Sequence, residues 1–309
     1  MCVTPLQMII AEKIIELKSE EDFDLMVIVL SDNEKYRYYY EKIKGLCLNE
    51  LYYSTEQGVK GFLSFVKILK INNLDKQYQN LYLASIDSRQ FQYVLSNNKN
   101  ANIYTFDDGI ANIIPNSIYY LNSKPNLFKR VVWRGFGIKY YMQDIKKLSL
   151  LHYTIYKNVP NIIKKTQSIN LYKNCESTSI ITNKVVRIYL GQPLEEISDM
   201  FTVEYVTKAL QKLHIDFYYP HPREKNVPIG DFEKIESLLV FEDYIVTYLK
   251  NNPEVQVQIY SFISSAILNI ASLDRIEVNY LYNENLYNKY KDFYDFVERK
   301  FNIQNIRLN

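Results

Sequence analysis

The chain has 309 residues, 47% of them hydrophobic and 23% charged, which is ordinary for a globular protein and long enough for two domains. Its 37 basic and 35 acidic residues leave a net charge of +2, which argues against a dedicated nucleic-acid-binding protein. The three cysteines form no CxxC pattern or Cys/His cluster, and no apolar run reaches the ~20 residues of a membrane helix, so we expect a cytoplasmic protein with at most peripheral membrane contact.

Apolar runs alternate with segments of helical period along the first half of the chain. Thr4 and Pro5 predict a helix N-cap followed by proline at the first helical position, opening a helix to about Leu17. Only Met1–Val3 remains for the strand that normally precedes such a helix, so we expect a very short opening strand or residues missing before Met1. The next predicted elements are strands at Asp24–Ser31, Leu81–Ile86 and Ala101–Phe106 and helices at Asn33–Lys44 and Ser88–Leu95.

The second half of the chain repeats the alternation of strands and helices. Strands separated by helices indicate βαβ units, so we expect an α/β protein with mostly parallel sheets. The predicted organisation is an N-terminal Rossmann-like domain over residues 1–157, a polar linker over 158–183 and a C-terminal Rossmann-like domain over 184–309. The predicted strands are Val185–Leu190, Ile215–Tyr219, Leu238–Phe241, Val255–Tyr260 and Arg275–Tyr280, and the predicted helices are Val203–Leu213, Asp243–Lys250, Ser264–Ala271 and Tyr287–Phe301.

Polar groups follow three of these strands, and ligands of open α/β sheets bind beyond the carboxyl ends of strands. Asp107, Asp108 and Gly109 follow the strand ANIYTF. One of the two carboxylates can serve as a general base toward a hydroxyl, although Asp and Gly are also common in turns.

A histidine between two prolines follows the strand that ends at Tyr219. The prolines of Pro220–His221–Pro222 restrict the backbone on both sides, which suits an imidazole that must meet a phosphate. We expect structural roles for the other two histidines, His152 and His214.

Ser264 and Ser265 follow the strand VQVQIYS, where hydroxyls and backbone N–H groups at a helix start can bind an anion or simply cap the helix.

The chain resembles glycosyltransferase family 52, the bacterial lipooligosaccharide sialyltransferases. Each matching segment is short, but they occur in order from the first residues to about residue 268. They are Cys2–Gln7, Asn33–Tyr36, Tyr82–Ser85, Thr105–Gly109, His152–Ile155, Leu190–Gly191, Pro220–Arg223, Glu242–Ile245 and Ile259–Phe262.

The resemblance implies a GT-B-type fold, with two Rossmann-like domains facing each other across a cleft, and an inverting sialyltransferase. The implied substrates are CMP-sialic acid and a galactose-terminated glycan or lipooligosaccharide. His221 would contact the departing phosphate as general acid, Glu242 the ribose hydroxyls, and Ser264 and Ser265 the phosphate. The resemblance also assigns Gly191, Gln192, Pro222 and Arg223 to the donor site and Thr4, Gln7 and Gly109 to the acceptor side.

The identity of the base stays open. Some family members have an aspartate at the position of Leu194, so Glu195 can substitute after a small loop shift, or Asp107 or Asp108 can act. We favour Asp107, because related families use the first acid of this motif, and expect Asp108 to hold the turn.

Three other functions compete with this hypothesis. A transferase of the same fold with another nucleotide sugar, such as a glucosyltransferase, would keep these motifs, and an inactive glycan-binding protein would not need them. A Rossmann dehydrogenase is excluded because no G-x-G-x-x-G follows a strand. We expect neither a metal nor another cofactor, because the D-x-D sequence Asp22–Phe23–Asp24 precedes its strand and so lies at the wrong end of the sheet to meet the donor phosphate. A homodimer is compatible with the sequence.

Overall fold

The computed structural model describes residues 1–121, 126–172 and 184–308. The chain divides into two compact units, Met1–Leu171 (unit 1) and Tyr172–Asn309 (unit 2). The end of the expected linker and Cys175 lie outside the described residues, whereas Thr166–Ser168, within that expected linker, pairs as a strand of unit 1.

Unit 1 alternates helices and strands in chain order. Its elements are α1 (Pro5–Leu17), β1 (Asp24–Val29), α2 (Glu34–Lys44), β2 (Asn49–Ser54), α3 (Gly58–Ile71), β3 (Asn80–Leu83), α4 (Arg89–Asn97), β4 (Asn102–Phe106), α5 (Leu127–Gly135), α6 (Met142–Leu148), β5 (Ser149–Thr154) and β6 (Thr166–Ser168).

The strands of unit 1 are parallel and form a pair, β1–β2, and a four-stranded sheet in the order β3–β4–β5–β6. Met1–Val3 lies between them: Cys2 N–H donates to Met26 O at 2.9 Å, and the Met1 amine donates to Tyr82 O at 2.8 Å. The predicted very short opening strand is thus confirmed as a single bridge between Cys2 and Val27. A cavity of about 380 Å³, lined by Met1, Leu25 and Leu81 among others, lies beside it.

Unit 2 is a single parallel sheet with helices between its strands. Its elements are β7 (Lys184–Leu190), a 3₁₀ turn (Leu194–Glu196), α7 (Val203–Leu213), β8 (Phe217–Tyr219), β9 (Glu233–Lys234), α8 (Phe241–Asn251), β10 (Val255–Ser261), β11 (Ile276–Tyr282), α9 (Glu284–Lys289), α10 (Lys291–Phe301) and β12 (Gln304–Arg307). The strand order is β12–β11–β10–β7–β8–β9.

Apolar residues of the strands and helices form the core of each unit. In unit 1 Met26, Ile28, Leu83 and Phe91 belong to one buried cluster. In unit 2 the inward residues of β10, Val257 and Ile259, are fully buried. The predicted α/β fold class with parallel sheets is confirmed in both units.

Three predicted elements of unit 2 are wrong. The stretch 238–240 forms no strand, and α8 begins at Phe241. Residues 265–271 form successive turns instead of an α-helix, closed by bonds such as Leu268 N–H to Ser265 O. The last helix is interrupted at Tyr290, whose φ of −121° separates α9 from α10.

Candidate active site

The adjacent carboxylates of unit 1 follow β4, which lies between β3 and β5 in the sheet. Gly109 has a φ of +74°, a conformation that glycine adopts without strain, so the chain turns sharply after Asp108. Asp107 and Asp108 therefore lie at the carboxyl edge of the sheet, as predicted from the sequence.

The carboxylate of Asp107 is completely buried and accepts hydrogen bonds from four groups. Its Oδ2 accepts from Thr154 Oγ1 at 2.8 Å and from the backbone N–H of Ile155 at 2.7 Å. Its Oδ1 lies 2.9 Å from His152 Nε2 and accepts from Asn161 Nδ2 at 3.2 Å. These contacts hold the end of β4 to the end of β5.

His152 has a structural role, as expected, but the sequence did not reveal that its partners are Thr105 and Asp107. Its imidazole is completely buried, with Nδ1 2.8 Å from Thr105 Oγ1 and Nε2 2.9 Å from Asp107 Oδ1. Because a carboxylate only accepts, Nε2 carries a hydrogen, and in the neutral ring Nδ1 accepts from the Thr105 hydroxyl. The available signal was its place in the matching segment His152–Ile155.

Asp108 is only partly buried, and hydroxyl and amide groups surround its carboxylate. Oδ2 accepts from Ser85 Oγ at 3.1 Å and from the Tyr119 hydroxyl, and Oδ1 accepts from Gln7 Nε2. Burial raises the pKa of Asp108, although these hydrogen bonds act in the opposite direction, and the negative charge of Asp87 raises it further. A carboxylate with a raised pKa is the better proton acceptor.

The first turn of α1 lies against Asp108. Gln7 is completely buried; besides Asp108, its Nε2 donates to Ser85 Oγ at 2.9 Å, and its Oε1 accepts from Val3 N–H at 2.6 Å. Thr4 is the N-cap of α1 and accepts from Gln7 N–H at 3.4 Å. Thr4 and Gln7, expected on the acceptor side, thus position the carboxylate of Asp108.

The expected roles of the two carboxylates do not fit their surroundings. We expected Asp107 to face the acceptor and Asp108 to hold the turn. The structure has the fully bonded, buried carboxylate at Asp107 and the partly exposed one at Asp108. The reason is that His152 and the end of β5 lie beside Asp107, which the sequence does not reveal.

The candidate residues of unit 2 follow the neighbouring strands β7, β8 and β10. The chain runs outward from β7 to β9 and then returns to β10 on the other side of β7. Such a switch point, at the carboxyl ends of the strands, is where open α/β sheets bind ligands. Gln192, which follows β7, is bonded to the end of β10: its Oε1 accepts from Ser261 Oγ at 3.1 Å and from Ile263 N–H at 2.8 Å.

His221 has a defined proton arrangement. Its Nδ1 accepts from the backbone N–H of Arg223 at 3.1 Å, so in the neutral ring Nε2 carries the hydrogen. Nε2–H is therefore the donor that a phosphate oxygen would meet. Pro222 is exposed, and Arg223 forms an exposed ion pair with Glu196 at 2.9 Å.

Glu224 is a functional candidate that the sequence argument did not select. Its carboxylate accepts from the Tyr218 hydroxyl at 2.7 Å and from His221 N–H at 3.2 Å. Burial raises its pKa to about 7, with a smaller contribution from the charge of Glu195. Gly191 lies directly beside it, since a Cβ at Gly191 would overlap Glu224 Oε2 and come within 2.8 Å of the Tyr218 ring.

Glu195 lies in the same loop region as the histidine motif. Its Oε1 accepts from Lys225 N–H at 2.9 Å, and its Oε2 is buried with no hydrogen-bond partner among the described residues. Leu194, which some relatives replace by aspartate, is 2% exposed and packs in the core.

The residues after β10 contribute polar groups without an α-helix. Ser264 Oγ accepts from Ala266 N–H at 3.3 Å, and Ser265 closes the first turn through its carbonyl. Glu242, near the start of α8, is 5% exposed and its Oε1 accepts from Asn269 Nδ2 at 2.7 Å. Glu242 and the turns that follow the serines are therefore in contact.

No group of three metal-ligating side chains occurs among the residues that the structure describes. Asp24 of the D-x-D sequence opens β1, at the amino end of its strand, and pairs with Lys76 at 2.6 Å.

Within the described chain, no helix is long and apolar enough to cross a membrane.

Comparison with known proteins gives similarity over almost the whole chain. The chain is 32% identical over 310 residues to CMP-N-acetylneuraminate:beta-galactoside alpha-2,3-sialyltransferase of Pasteurella multocida, covering 99% of this chain and 98% of that protein. It is 32% identical over 284 residues to N-acetyllactosaminide alpha-2,3-sialyltransferase of Haemophilus influenzae, covering 91% and 90%.

Among solved structures, S. aureus MnaA in a UDP co-structure aligns at 12% identity with a TM-score of 0.49, covering 91% of this chain and 78% of that one. The family model of glycosyltransferase family 52 matches residues 22–284. The chain therefore belongs to glycosyltransferase family 52.

Proposed function

We propose that this chain is an inverting sialyltransferase that transfers sialic acid from CMP-sialic acid to a terminal galactose in α-2,3 linkage. The observation that carries the proposal is the 32% identity across 99% of the chain to a CMP-N-acetylneuraminate:beta-galactoside alpha-2,3-sialyltransferase. The acceptor would be a lipooligosaccharide or a related surface glycan.

Unit 1 would supply the general base, and the geometry favours Asp108 for this role. Its carboxylate is partly exposed and its pKa is raised, whereas the carboxylate of Asp107 is buried and already accepts hydrogen bonds from four groups. Gln7, Ser85 and Tyr119 fix the orientation of Asp108, as a base that must meet a hydroxyl requires. Glu195 is the alternative base.

Unit 2 would bind the nucleotide end of the donor. Nε2–H of His221 would donate to the leaving phosphate, and Ser264 and Ser265 would supply hydroxyls to the same group. Glu242 would accept from ribose hydroxyls, after exchanging its bond with Asn269. Donors aimed at a developing negative charge lower the barrier because the charge grows as the bond breaks.

The reaction is a single displacement. The acceptor oxygen bonds to the anomeric carbon of sialic acid as the bond from that carbon to the phosphate oxygen breaks, and its electron pair leaves with CMP. The acceptor proton passes to Asp108, and His221 stabilises or protonates the phosphate. We propose that neither a metal nor another cofactor takes part, since the D-x-D sequence lies at the amino end of its strand.

We propose that the protein works in the cytoplasm with peripheral contact to the inner membrane. Helix α5 supports such contact because its apolar side chains Leu127 and Phe128 are 78% and 75% exposed. A homodimer is a further proposal for which the oligomeric state in solution is the test.

The experiment is a donor screen with lactose as acceptor. CMP-sialic acid should release CMP in proportion to product, whereas UDP-glucose and UDP-galactose should release no UDP above the rate without acceptor. The rate should be unchanged in excess EDTA. Preference for a UDP-sugar would establish the same-fold alternative, and binding of lactose without turnover of any donor would establish a glycan-binding protein.

A further inference from the structure

A cavity of about 630 Å³ in unit 1 has no role in the site described above. Four basic side chains line it: Arg89 at the start of α4, Lys129 and Arg130 on α5, and Lys147 on α6. They come from three helices that are separate in the sequence, so their convergence is a property of the fold.

The residues that line this cavity in the described part of the chain carry an excess of positive charge. Among the described residues, none of these four side chains forms an ion pair. Two carboxylates, Asp87 and Asp144, also line the cavity, so its four described cations exceed the described anions by two; Asp144 Oδ2 accepts from Tyr141 N–H at 2.9 Å, and Asp87 Oδ1 accepts from the Tyr119 hydroxyl at 3.0 Å. Cations gathered around a cavity attract an anion.

Arg89 is held in place before any ligand arrives. Its guanidinium carbon lies 5.7 Å from the centre of the Trp133 ring and 5.5 Å from that of Tyr141, and its NH1 donates to Gln92 Oε1 at 2.6 Å. Arg130 lies over the same Tyr141 ring at 5.8 Å. A guanidinium fixed by aromatic rings keeps its planar set of donors ordered, which favours binding of phosphate oxygens.

The cavity is connected to the candidate base by hydrogen bonds. Asp87 lines the cavity and accepts from Tyr119, whose hydroxyl also contacts Asp108. We propose that this cavity binds a phosphate group carried by the acceptor glycan, on a sugar beyond the galactose that reacts. The proposal rests on the proposed function, in which Asp108 acts on the acceptor.

The test compares lactose with a lactoside that carries a phosphate on its glucose residue. At low salt the KM of the wild-type protein should be roughly tenfold lower for the phosphorylated lactoside, the scale of one or two charge-assisted contacts. The double variant Lys129→Ala/Lys147→Ala should lose this preference while its KM and kcat for lactose stay within about twofold. Arg89→Lys keeps the charge but removes the planar set of guanidinium donors, so it should lose part of the preference for the phosphorylated lactoside.

The matched control is Lys67→Ala/Lys70→Ala on α3, which removes two charges from the same unit and should keep the preference. Equal kinetic losses for both acceptors, or a preference that survives Lys129→Ala/Lys147→Ala, would overturn the proposal. It would also be overturned if that variant lost binding to phosphatidylglycerol vesicles while the preference between the soluble acceptors was unchanged, because the cations would then serve a lipid surface.

Trp133 provides a readout that needs no turnover. It is the single tryptophan of the chain, and Arg89 lies over its ring. Titration with the phosphorylated lactoside, without donor, should change its fluorescence in the wild type and leave that of Arg89→Ala unchanged at the same concentrations. Binding without transfer would refute the proposed function alone, and transfer to lactose without this binding would refute the phosphate site alone.

Discussion

At the scale of single residues, two adjacent aspartates differ in their surroundings. The carboxylate of Asp107 ties β4 to β5 through His152, Thr154 and Ile155, whereas Asp108 is partly exposed within a shell of hydroxyl and amide groups. Burial and hydrogen bonding therefore distinguish a structural carboxylate, Asp107, from the carboxylate that we propose as the base, Asp108.

We expect Asp108→Asn to lower kcat by roughly 10²-fold or more with little loss of stability, because the substitution removes the base and keeps the shape. Asp107→Asn should cost about 1–3 kcal/mol of the free energy of unfolding, because an amide N–H₂ would face buried donors. Steady-state kinetics and urea unfolding of both variants measure this. A stable, inactive Asp107→Asn beside an active Asp108→Asn would reverse the assignment, and loss of turnover in Glu195→Gln would move the base to unit 2.

His221→Ala should lower kcat by roughly 10²-fold or more, the scale of general acid catalysis. The reason is that Nε2–H, whose position is set by the bond from Arg223 N–H to Nδ1, would be lost at the leaving phosphate. His214→Ala is the control for removal of an imidazole from the same unit. Near-normal turnover of His221→Ala would remove His221 from the mechanism.

Glu224 predicts a pH dependence of stability. Burial raises its pKa to about 7 in the folded protein from the ordinary value of 4.5, so the folded state holds the proton more tightly than the unfolded state. The protonated carboxyl of Glu224 therefore stabilises the folded state fully below pH 4.5. This stabilisation is lost as the pH rises through 7, which lowers the free energy of unfolding by about 3 kcal/mol in total. Relative to Glu224→Gln, the wild type should therefore become less stable between about pH 5 and pH 8 in urea unfolding. A difference that is constant with pH would contradict the burial of an ionisable carboxyl at this position.

The positions of these residues were more predictable than their roles. Asp107, Asp108 and His221 could be placed at strand ends because a strand is local and its end is marked by Asp, Gly or Pro. The partners could not be placed, since Gln7 lies about a hundred positions from Asp108 in the sequence and reaches it only through tertiary folding.

At the scale of elements, the edge formed by β7 and β8 depends on the close approach of Gly191 to Glu224. Only a hydrogen at Gly191 leaves room for the Glu224 carboxylate and the Tyr218 ring, so this glycine allows Glu224 to reach His221 N–H. The loop that carries His221 is thereby fixed to the end of β7.

Gly191→Ala should displace Glu224, cost about 1–3 kcal/mol of stability and reduce turnover. Gly45→Ala, at the end of α2 where an added Cβ would have no atom within 4 Å and φ is −65°, is the control and should be neutral. Thermal unfolding and kinetics of both variants test this. Equal stability of the two variants would show that the Glu224 carboxylate can move away without cost.

The regular helices and the longer strands could be predicted because their patterns are local. The predicted helix over Ser264–Ala271 failed because its polar side chains bond outside a helical pattern: Ser264 Oγ accepts from Ala266 N–H and Asn269 donates to Glu242. Short strands such as β6 and β9, of three and two residues, exist only because a neighbouring strand pairs with them.

At the scale of the whole molecule, the chain consists of two α/β units with parallel sheets, and the candidate catalytic residues follow the ends of strands. In unit 1 the proposed base follows β4, and in unit 2 the candidate histidine and serines follow β8 and β10. The alternation of strands and helices made this organisation predictable.

The most direct measurement is the structure of the product formed from CMP-sialic acid and lactose. Mass spectrometry should show lactose plus one sialic acid, and NMR should show an α-linked sialic acid at the 3-position of galactose, the anomer expected from inversion of the β-linked donor. Release of CMP without a sialylated product, or a product that carries another sugar, would contradict the account.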